Sequence, residues 1–428
     1  MLDFTKNFRF ADKRPDVPII ESALDTDFYE DTMGQVLHRR CPKVPIKMAF
    51  TNRTKSVRLA DHIDIGELKE QLDHVRDNVR FTNSDLHFLR GTNEYGDRMF
   101  GEDYLTHLKN FRFPDYHLEY RAGQIELEFS GDADLAYRWE MPPLAIISQL
   151  YNRSLMKNLS RFGQECVYAE GQKRLAEKIA LAKKYPGMTF TDFGTRRRFS
   201  RQWHEYVVST LSEELPRTQF RGTSNTYLAM KLGLEPMGTN AHKMPMIYSA
   251  LYYDQDSLEP GYSQRKMLEH WWEQYGVGLS IFLPDTYGSD FFLRVLDPLM
   301  AMKWKGFRHD SGDPFAFGEK IIKYYESLGI NSQEKLIVFS DGLDIPACIR
   351  LYEHFAGRIG VTFGIGTNLS NDLGLKNLSI VIKAVMADGH PLVKLSDNLE
   401  KAIGNPYEIS RWQRLAGYGE TFSEACRY

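Results

Sequence analysis

Cysteine is scarce in this 428-residue chain, which contains only four. They are Cys41, Cys166, Cys348 and Cys426, and no two of them have the close spacing of a CxxC pair or of a zinc-binding motif. A disulfide framework or a structural zinc site usually shows such spacing. We therefore expect reduced thiols in a cytoplasmic protein.

Long hydrophobic runs are also lacking. The N-terminal segment MLDFTKNFRFADKRPD has no apolar core of the kind found in a signal peptide. The apolar stretch IVIKAVM is interrupted by Lys383, and a membrane span needs about 18 apolar residues. We therefore expect no membrane partner.

The chain lacks a strong charge of either sign. Its 54 lysines and arginines nearly balance 57 aspartates and glutamates, for a formal net charge of -3. A dedicated nucleic-acid-binding protein usually has a clear basic excess, so we expect no nucleic-acid partner. With 42% hydrophobic and 13% aromatic residues, the chain can bury sizeable cores. Its length predicts two domains, or a barrel with an appendage.

The first part of the chain mixes strands and helices without a regular alternation. KMAFTNRT and QIELEFSG have the composition of strands, and ELKEQLDHVRDNV has helical apolar spacing. We therefore predict an α+β domain over residues 1–135. From Trp139 onward, MPPLAIISQLYNRSLM and CVYAEGQKRLAEKIALAKKY predict two helices, and Pro186 and Gly187 end the second.

After residue 187, short apolar strands alternate with helices, which is typical of a parallel sheet, open or closed. Polar and glycine-rich motifs follow five or more of these strands. Because a barrel brings such loops to one mouth, we predict an α/β barrel over residues 136–375. The segment from about 376 to 428 contains a predicted hairpin that turns at Asp388 and Gly389, and it is expected to pack on the first domain.

The segment FTDFGTRRRFS, residues 190–200, is the most informative motif. Arginine carries a planar fork of donors that matches phosphate and carboxylate oxygens, and glycine lets the backbone approach an anion closely. Phe193 offers a stacking face, with Thr195 and Arg196 next to it. The motif indicates a site for an aromatic ring beside a phosphorylated ligand, although a solvated basic turn has the same composition.

Two further loops carry candidate polar groups. Ser224 and Asn225 in RGTSN either cap a helix or hold a polar substituent of a ligand. His242 in GTNAHK follows a strand at a candidate helix start, where a phosphate is favoured. It could act as a general base or as a nucleophile that accepts a phosphoryl group. Asp285, at the end of GLSIFLPD, is a candidate partner that fixes the ring tautomer.

The loop FRHDSGDP combines Arg308 with Asp310 and Asp313. Two carboxylates around Ser-Gly suit ribose hydroxyls, or Mg²⁺ near a diphosphate. The same pattern fits an Asx-turn followed by a helix that begins at Pro314.

The remaining motifs are individually weaker. FSDGLD and FGIGTN each end a strand with glycine and small polar groups, and as a consecutive pair they resemble the phosphate grip that barrels build from their last loops. LDTDFYEDTM predicts a helix start with a core-facing tyrosine, Tyr29.

Taken in order, these motifs resemble the nicotinate phosphoribosyltransferase family over about residues 24–398. The matching elements are TDxY, DFGTRRR, GTSN, GTxAH, RxDSGDP, SDxLD, FGIGT and a late IVIK. The resemblance implies an irregular (β/α) barrel of the type II phosphoribosyltransferase kind with an α+β N-terminal domain. It also implies a homodimer with shared active sites, nicotinate and phosphoribosyl diphosphate as substrates, ATP as co-substrate, and Mg²⁺.

The resemblance also implies roles for individual residues. Tyr29 of the partner subunit and Phe193 would take the two faces of the pyridine ring, and Arg196 and Arg308 would lie near the nicotinate carboxylate and the diphosphate. Asp310 would meet the ribose hydroxyls. The 5-phosphate would be held by loop residues and by a lysine from the partner subunit: Ser340, Asp341, Gly366, Thr367 and Lys383.

His242 corresponds to the histidine that ATP phosphorylates in this family. The family usually carries glutamate after Ala-His, whereas this chain has Lys243. An ammonium there is expected beside the phosphohistidine, and an orienting carboxylate is missing.

Three rival interpretations remain at this point. A sister enzyme uses nicotinamide and places an aspartate in the loop that corresponds to GTSN, where this chain has Ser224 and Asn225. A catalytically silent relative would bind phosphosugars as a sensor. An unrelated phosphate-binding barrel would share the ordered motifs by coincidence.

Overall fold

The computed structural model describes residues 18–94, 97–420 and 422–424. Cys426, one of the four cysteines, lies outside these residues. Cys41, Cys166 and Cys348 are free thiols. Within the described residues, no helix combines the length and apolar character that crossing a bilayer requires.

The helices of the described residues are α1 Tyr29–Arg40, α2 Ile65–Asn78, α3 Asn83–Gly91, α4 Glu102–Asn110, α5 Ala133–Ala136, α6 Met141–Lys157, α7 Arg161–Ala182, α8 Arg201–Glu214, α9 Thr226–Leu232, α10 Lys243–Leu251, α11 Tyr253–Leu258, α12 Tyr262–Tyr275, α13 Ser289–Val295, α14 Pro298–Lys303, α15 Pro314–Ser327, α16 Ile345–Phe355, α17 Thr367–Ser370 and α18 Pro406–Ala416. Short 3-10 turns occur at Leu59–Asp61, Tyr137–Glu140, Thr195–Arg197, Pro284–Thr286, Ser332–Glu334 and Leu399–Lys401.

The strands are β1 Pro45–Asn52, β2 Asn93–Glu94, β3 Asp97–Arg98, β4 Tyr116–Arg121, β5 Gln124–Asp132, β6 Thr189–Asp192, β7 Phe220–Thr223, β8 Glu235–Pro236, β9 Ile281–Phe282, β10 Gly306–His309, β11 Leu336–Phe339, β12 Gly360–Ile365, β13 Ile380–Ala387, β14 His390–Pro391, β15 Val393–Lys394 and β16 Ile403–Gly404.

Local sequence explains where many helices begin. Thr82 and Asp85 form a reciprocal capping box at α3. Asp64, Ser160 and Ser200 cap α2, α7 and α8 by accepting a backbone N–H. The predicted helices ELKEQLDHVRDNV, MPPLAIISQLYNRSLM and CVYAEGQKRLAEKIALAKKY are confirmed as α2, α6 and α7.

The N-terminal part contains an antiparallel sheet with the strand order β14-β13-β1-β5-β4. The predicted strands KMAFTNRT and QIELEFSG are β1 and β5, which pair with each other. Burial alternates along β1, as expected for a strand with one face on a core.

The predicted hairpin is confirmed as β13 and β14, with positive φ at Asp388 and Gly389. Its long strand pairs with β1, so the late segment completes the early sheet.

A parallel sheet with the strand order β8-β7-β6-β12-β11-β10-β9 forms the second layer. It is a curled half-barrel whose edges are β8 and β9, which confirms the predicted fold class. Helices between the strands cover it, and large aromatic rings fill the interface. The Phe282 and Trp304 rings, for example, stack with centroids 4.0 Å apart.

The C-terminal segment contacts both parts of the molecule. Beyond the hairpin, β15 and α18 form a small core with α13, in which the Tyr287 and Trp412 rings stack with centroids 3.6 Å apart. The predicted domain limits near residues 135 and 375 stay predictions.

Candidate active site

A polar pocket lies where the C-terminal ends of β6, β7, β10, β11 and β12 meet the start of α1 and the strand β13. The two segments TDFY and GTSN are joined directly by backbone hydrogen bonds. Phe28 donates to the Ser224 carbonyl at 2.7 Å, and Thr226 donates to the Thr26 carbonyl at 2.9 Å. This pairing fixes the start of α1 against the barrel mouth.

Two aromatic rings, those of Tyr29 and Phe193, line the pocket. Phe193 follows β6, and its ring lies against β12 at Gly364, where a Cβ atom would fall 2.4 Å from the ring. Only glycine leaves this space. Tyr29 is the first residue of α1, and its hydroxyl lies 3.4 Å from Glu140 Oε1.

Tyr29 and Lys383 of the same chain as Phe193 line this pocket, whereas the family resemblance implies that they come from the partner subunit. Lys383 reaches the pocket because β13 pairs with β1 beside the barrel mouth.

Cations surround the space between these groups. Arg196, Arg308 and Lys383 all line the pocket. Burial lowers the pKa of Lys383 to about 7, although the nearby Glu140 carboxylate acts in the opposite direction. The Arg308 guanidinium lies 5.8 Å from the centroid of the Phe193 ring, so a positive charge lies next to the aromatic ring.

A carboxyl group from the TDFY segment lies beside the GTSN loop and was not a sequence candidate. Asp27 lines the pocket and accepts a 2.7 Å hydrogen bond from the Ser224 hydroxyl. Burial raises the pKa of Asp27. Asp27 belongs to the TDxY motif, but the sequence does not indicate that its side chain contacts Ser224.

His242 lies in a buried charged cluster at the N-terminus of α10. Its Nδ1 atom is 3.0 Å from Thr286 Oγ1, and its Nε2 atom is 2.9 Å from Asp310 Oδ2. Lys394 Nζ also lies 2.8 Å from Nε2. Burial and the Lys394 ammonium lower the pKa of His242 to about 4, so the imidazole is neutral at pH 7.

The carboxylate closest to His242 is not the predicted one. Asp285 Oδ1 lies 3.6 Å from His242 Nε2, farther than Asp310. Asp285 instead accepts a 2.6 Å hydrogen bond from the Ser311 hydroxyl and pairs with Lys394 at 3.1 Å. Although burial acts to raise it, Lys394 and His242 lower the pKa of Asp285 to about 2. Asp285 therefore holds Lys394, and Lys394 was not a sequence candidate.

Arg308 connects this cluster to the phosphate loops. Its guanidinium donates to the Ser340 hydroxyl at 2.9 Å and to Asp310 Oδ1 at 3.0 Å. Gly366 and Thr367, which follow β12, also line the pocket, and β12 pairs with β11, the strand that precedes Ser340.

Lys243 does not lie where the sequence analysis expects it. Its side chain is buried and points away from His242 to an ion pair with Glu30. The same ammonium lies 3.0 Å from Glu140 Oε2 and donates to the Tyr137 carbonyl at 2.9 Å. Glu140 in turn lines the pocket, with Oε1 3.9 Å from Arg196. Lys243 does not line the pocket itself but stabilises Glu140, which forms part of the pocket wall.

Four predicted substrate-binding residues do not line the pocket. Thr195 is buried, and Asn225 caps α9 while its amide donates to Asp25. Asp313 caps α15, so the Asx-turn interpretation applies. Asp341 pairs with Lys401. These residues shape the loops rather than the cavity surface.

Comparisons with known proteins identify the family. The nicotinate phosphoribosyltransferase (NAPRTase) family model matches residues 188–419, and the model of the N-terminal domain of that family matches residues 24–148. The nicotinate phosphoribosyltransferase of Porphyromonas gingivalis is 31% identical with a TM-score of 0.81, over 94% of this chain and 100% of that chain. The Vibrio cholerae enzyme is 30% identical with a TM-score of 0.82, over 94% of this chain and 95% of that one.

The match covers both sheets and every motif that lines the pocket. The chain therefore belongs to the nicotinate phosphoribosyltransferase family, whose activity starts NAD salvage from nicotinate.

Proposed function

We propose that this enzyme makes nicotinate mononucleotide from nicotinate and phosphoribosyl diphosphate, and that it couples the transfer to ATP hydrolysis through phosphorylation of His242. ATP and water would enter, and ADP and phosphate would leave, which places the enzyme among the ligases. The main observation behind this proposal is that five residues line one and the same pocket: Tyr29, Phe193, Arg196, Arg308 and Asp310.

The transfer itself depends on alignment. The pyridine nitrogen attacks C1 of the sugar while the bond to diphosphate breaks, so nucleophile, sugar and leaving group must lie in line. Tyr29 and Phe193 would hold the ring, and Arg196 and Lys383 would meet its carboxylate. Arg308 and Asp310 would hold the diphosphate and the ribose hydroxyls. Ser340, with the backbone of the loops after β11 and β12, would bind the 5-phosphate.

The proposed Mg²⁺ fits the donor atoms of this pocket. Mg²⁺ often combines one or two protein carboxylates with substrate phosphates. Although burial acts to raise it, Arg308, His242 and Lys394 hold the pKa of Asp310 well below its ordinary value, so its carboxylate is ionised. Asp310 would hold the ion, which would neutralise charge on the departing diphosphate.

His242 has the protonation state that a phosphoryl acceptor needs. A neutral imidazole nitrogen carries the lone pair that attacks the γ-phosphorus of ATP, which releases ADP. Asp310, Thr286 and Lys394 surround the ring and restrict its orientation. Because His242 and Arg308 both contact Asp310, phosphorylation would change the charge beside the diphosphate site. Water would then return the free imidazole.

Nicotinamide is the second candidate substrate, because Asp27 could accept from a carboxamide. The cations favour the acid. Arg196, Arg308 and Lys383 line the pocket, whereas the pKa of Asp27 is raised by burial and Glu140 is paired with Lys243. We therefore expect the enzyme to prefer nicotinate, the anionic substrate, over nicotinamide.

Product analysis tests this proposal. The purified protein would be incubated with phosphoribosyl diphosphate and either nicotinate or nicotinamide, each with and without ATP, and the mononucleotides separated by chromatography. We expect product from nicotinate, more of it with ATP, and little from nicotinamide. Arg196→Met should lower the preference for nicotinate. Efficient use of nicotinamide would refute the substrate assignment, and a rate unaffected by ATP would refute the coupling.

The placement of Tyr29 and Lys383 supports one complete pocket in each chain. We therefore propose that activity does not depend on a shared site. The homodimer stays a prediction, as does the cytoplasmic location, which free thiols at Cys41, Cys166 and Cys348 support.

A further inference from the structure

A second cluster of metal-ligating side chains lies away from the active site, in the N-terminal part of the molecule. His38 comes from the last turn of α1, His107 from α4 and Asp134 from α5. One ligand atom from each residue lies within 4.8 Å of the other two. The catalytic pocket begins at Tyr29, at the opposite end of α1. His38 comes nine positions after Tyr29 in this helix, which is about 13.5 Å along the axis.

The spacing of these atoms suits a small coordination sphere. His38 Nδ1 lies 3.0 Å from Asp134 Oδ2, and His107 Nε2 lies 3.8 Å from the same oxygen. Two ligands of a tetrahedral ion with bonds of about 2.0–2.1 Å are about 3.3 Å apart. These two separations lie on either side of that value, and the ligand atoms of His38 and His107 lie within 4.8 Å of each other, so rotations of the side chains would form the site.

The burial of the cluster also suits an ion with one open position. The side chains of His38, His107 and Asp134 are 25%, 16% and 9% exposed. An ion can therefore enter from solvent, and water can take the remaining position. The two imidazole rings are stacked, with centroids 4.1 Å apart and 27° between their planes. Because an imidazole binds a metal in the plane of its ring, at least one of the two rings would turn to bring its lone pair to the ion.

We propose that His38, His107 and Asp134 bind a divalent transition-metal ion, of which Zn²⁺ is the best match. Two imidazole nitrogens and one carboxylate oxygen favour zinc, cobalt or nickel over magnesium or calcium, which prefer oxygen alone. The ion would connect α1, α4 and α5 and would stabilise the part of the fold that presents Tyr29.

Binding requires a change of tautomer. His38 Nδ1 lies 3.0 Å from Asp134 Oδ2, and His107 Nε2 lies 3.3 Å from the Asp134 carbonyl, so both nitrogens face hydrogen-bond acceptors. Metal binding needs the lone pairs at these two nitrogens, so the hydrogen of each ring would then reside on its other nitrogen.

The test is a titration of the whole protein with Zn²⁺ by calorimetry, and with Co²⁺ by visible absorption. His242→Ala serves as the background, because the catalytic cluster of His242, Asp285 and Asp310 is the other group of candidate ligands in the described residues. We expect one bound ion, a Co²⁺ spectrum of low coordination number, and a higher Tm with zinc.

Three further variants on that background locate the ion. His107→Ala and Asp134→Asn should weaken binding at least about tenfold and abolish the zinc-dependent rise in Tm. His117→Ala, a histidine on β4 whose side chain is 61% exposed, should change neither. Because the Co²⁺ spectrum is recorded with all three ligands present, a variant that fails to fold does not decide the result. Absence of the Co²⁺ spectrum, or equal affinity in the His107→Ala and His117→Ala variants, would overturn the proposal.

Discussion

The buried ion pair between Lys243 and Glu30 makes the sharpest prediction about this chain. The family usually has glutamate at the position of Lys243, so Lys243→Glu restores the common residue. We nevertheless expect this change to damage the protein. Lys243, Glu30 and Glu140 are at most 1% exposed, and a third carboxylate would join two that already face each other.

The magnitude follows from burial. Removing one partner of a buried ion pair typically costs about 3–5 kcal/mol, because the other charge is left without compensation. Globular proteins have about 5–15 kcal/mol of stability in total, so Lys243→Glu should lower the Tm strongly. Burial acts to raise the pKa of Glu30, and the Lys243 ammonium opposes that effect. In Lys243→Met the opposition is gone, so Glu30 can take up a proton near neutral pH, and this variant should lose less.

The decisive variant exchanges the two charges. Glu30→Lys combined with Lys243→Glu restores one cation and two carboxylates in the same space. We expect it to recover most of the stability that each single change removes, with a coupling energy of about 2 kcal/mol or more, since contacting residues are strongly non-additive. Glu30→Gln serves as a matched control that removes charge without reversing it.

The assay is urea unfolding followed by tryptophan fluorescence, together with the KM for nicotinate. The KM is informative because Glu140 connects Lys243 to Arg196. The double variant should recover a near-native KM along with its stability. If the double variant is no more stable than the sum of the two single changes, Lys243 and Glu30 do not form the pair described here.

Four other predictions concern the pocket. Phe193→Ala should raise the KM for nicotinate about 2- to 12-fold, the equivalent of about 0.5–1.5 kcal/mol, and change the KM for phosphoribosyl diphosphate much less; equal effects would make Phe193 a structural support. Because the lowered pKa of Lys383 is about 7, its cation is present below that pH and is lost above it. The kcat/KM for nicotinate should therefore fall as pH rises through 7, and Lys383→Met should remove that step; an unchanged profile would contradict the assignment. ATP should give an acid-labile, base-stable phosphoprotein that His242→Ala abolishes, and labelling should persist down to about pH 5 because the pKa of His242 is about 4; labelling of the variant would place the phosphate elsewhere. Mixing Tyr29→Ala and His242→Ala subunits should restore no activity, and recovery after verified exchange would show a shared site.

The barrel, its active-site mouth and most pocket residues could be predicted because they depend on local signals. Strands that end in glycine and polar residues place Phe193, Ser340 and Gly366 at one edge of a parallel sheet whatever the details of packing. Capping roles are equally local, which is why an alternative interpretation of Asn225 and of Asp313 as helix caps was available from the sequence.

The charged network could not be predicted because its partners are distant in sequence. Lys394 is 152 positions from His242, and Lys243 is 213 positions from Glu30. The direction of Lys243 depends on how the start of α10 lies against the start of α1, where Glu30 stands, and residue types near His242 do not reveal that. Asp27 shows the same limit, since its position beside Ser224 arises from pairing between two separate loops.

The late strand β13 has a consequence for how the enzyme is made. It lies between β14 and β1 in its sheet and brings Lys383 to the pocket. Ser379, just before it, bonds to Thr54, 325 positions earlier in the chain. During synthesis, one edge of β1 therefore stays unpaired until nearly the whole chain has left the ribosome. An unpaired strand edge can form hydrogen bonds with other chains, which leads to aggregation. We therefore expect any shortened product that ends before β13 to be inactive and prone to aggregate, so activity requires a chain that extends at least through β13.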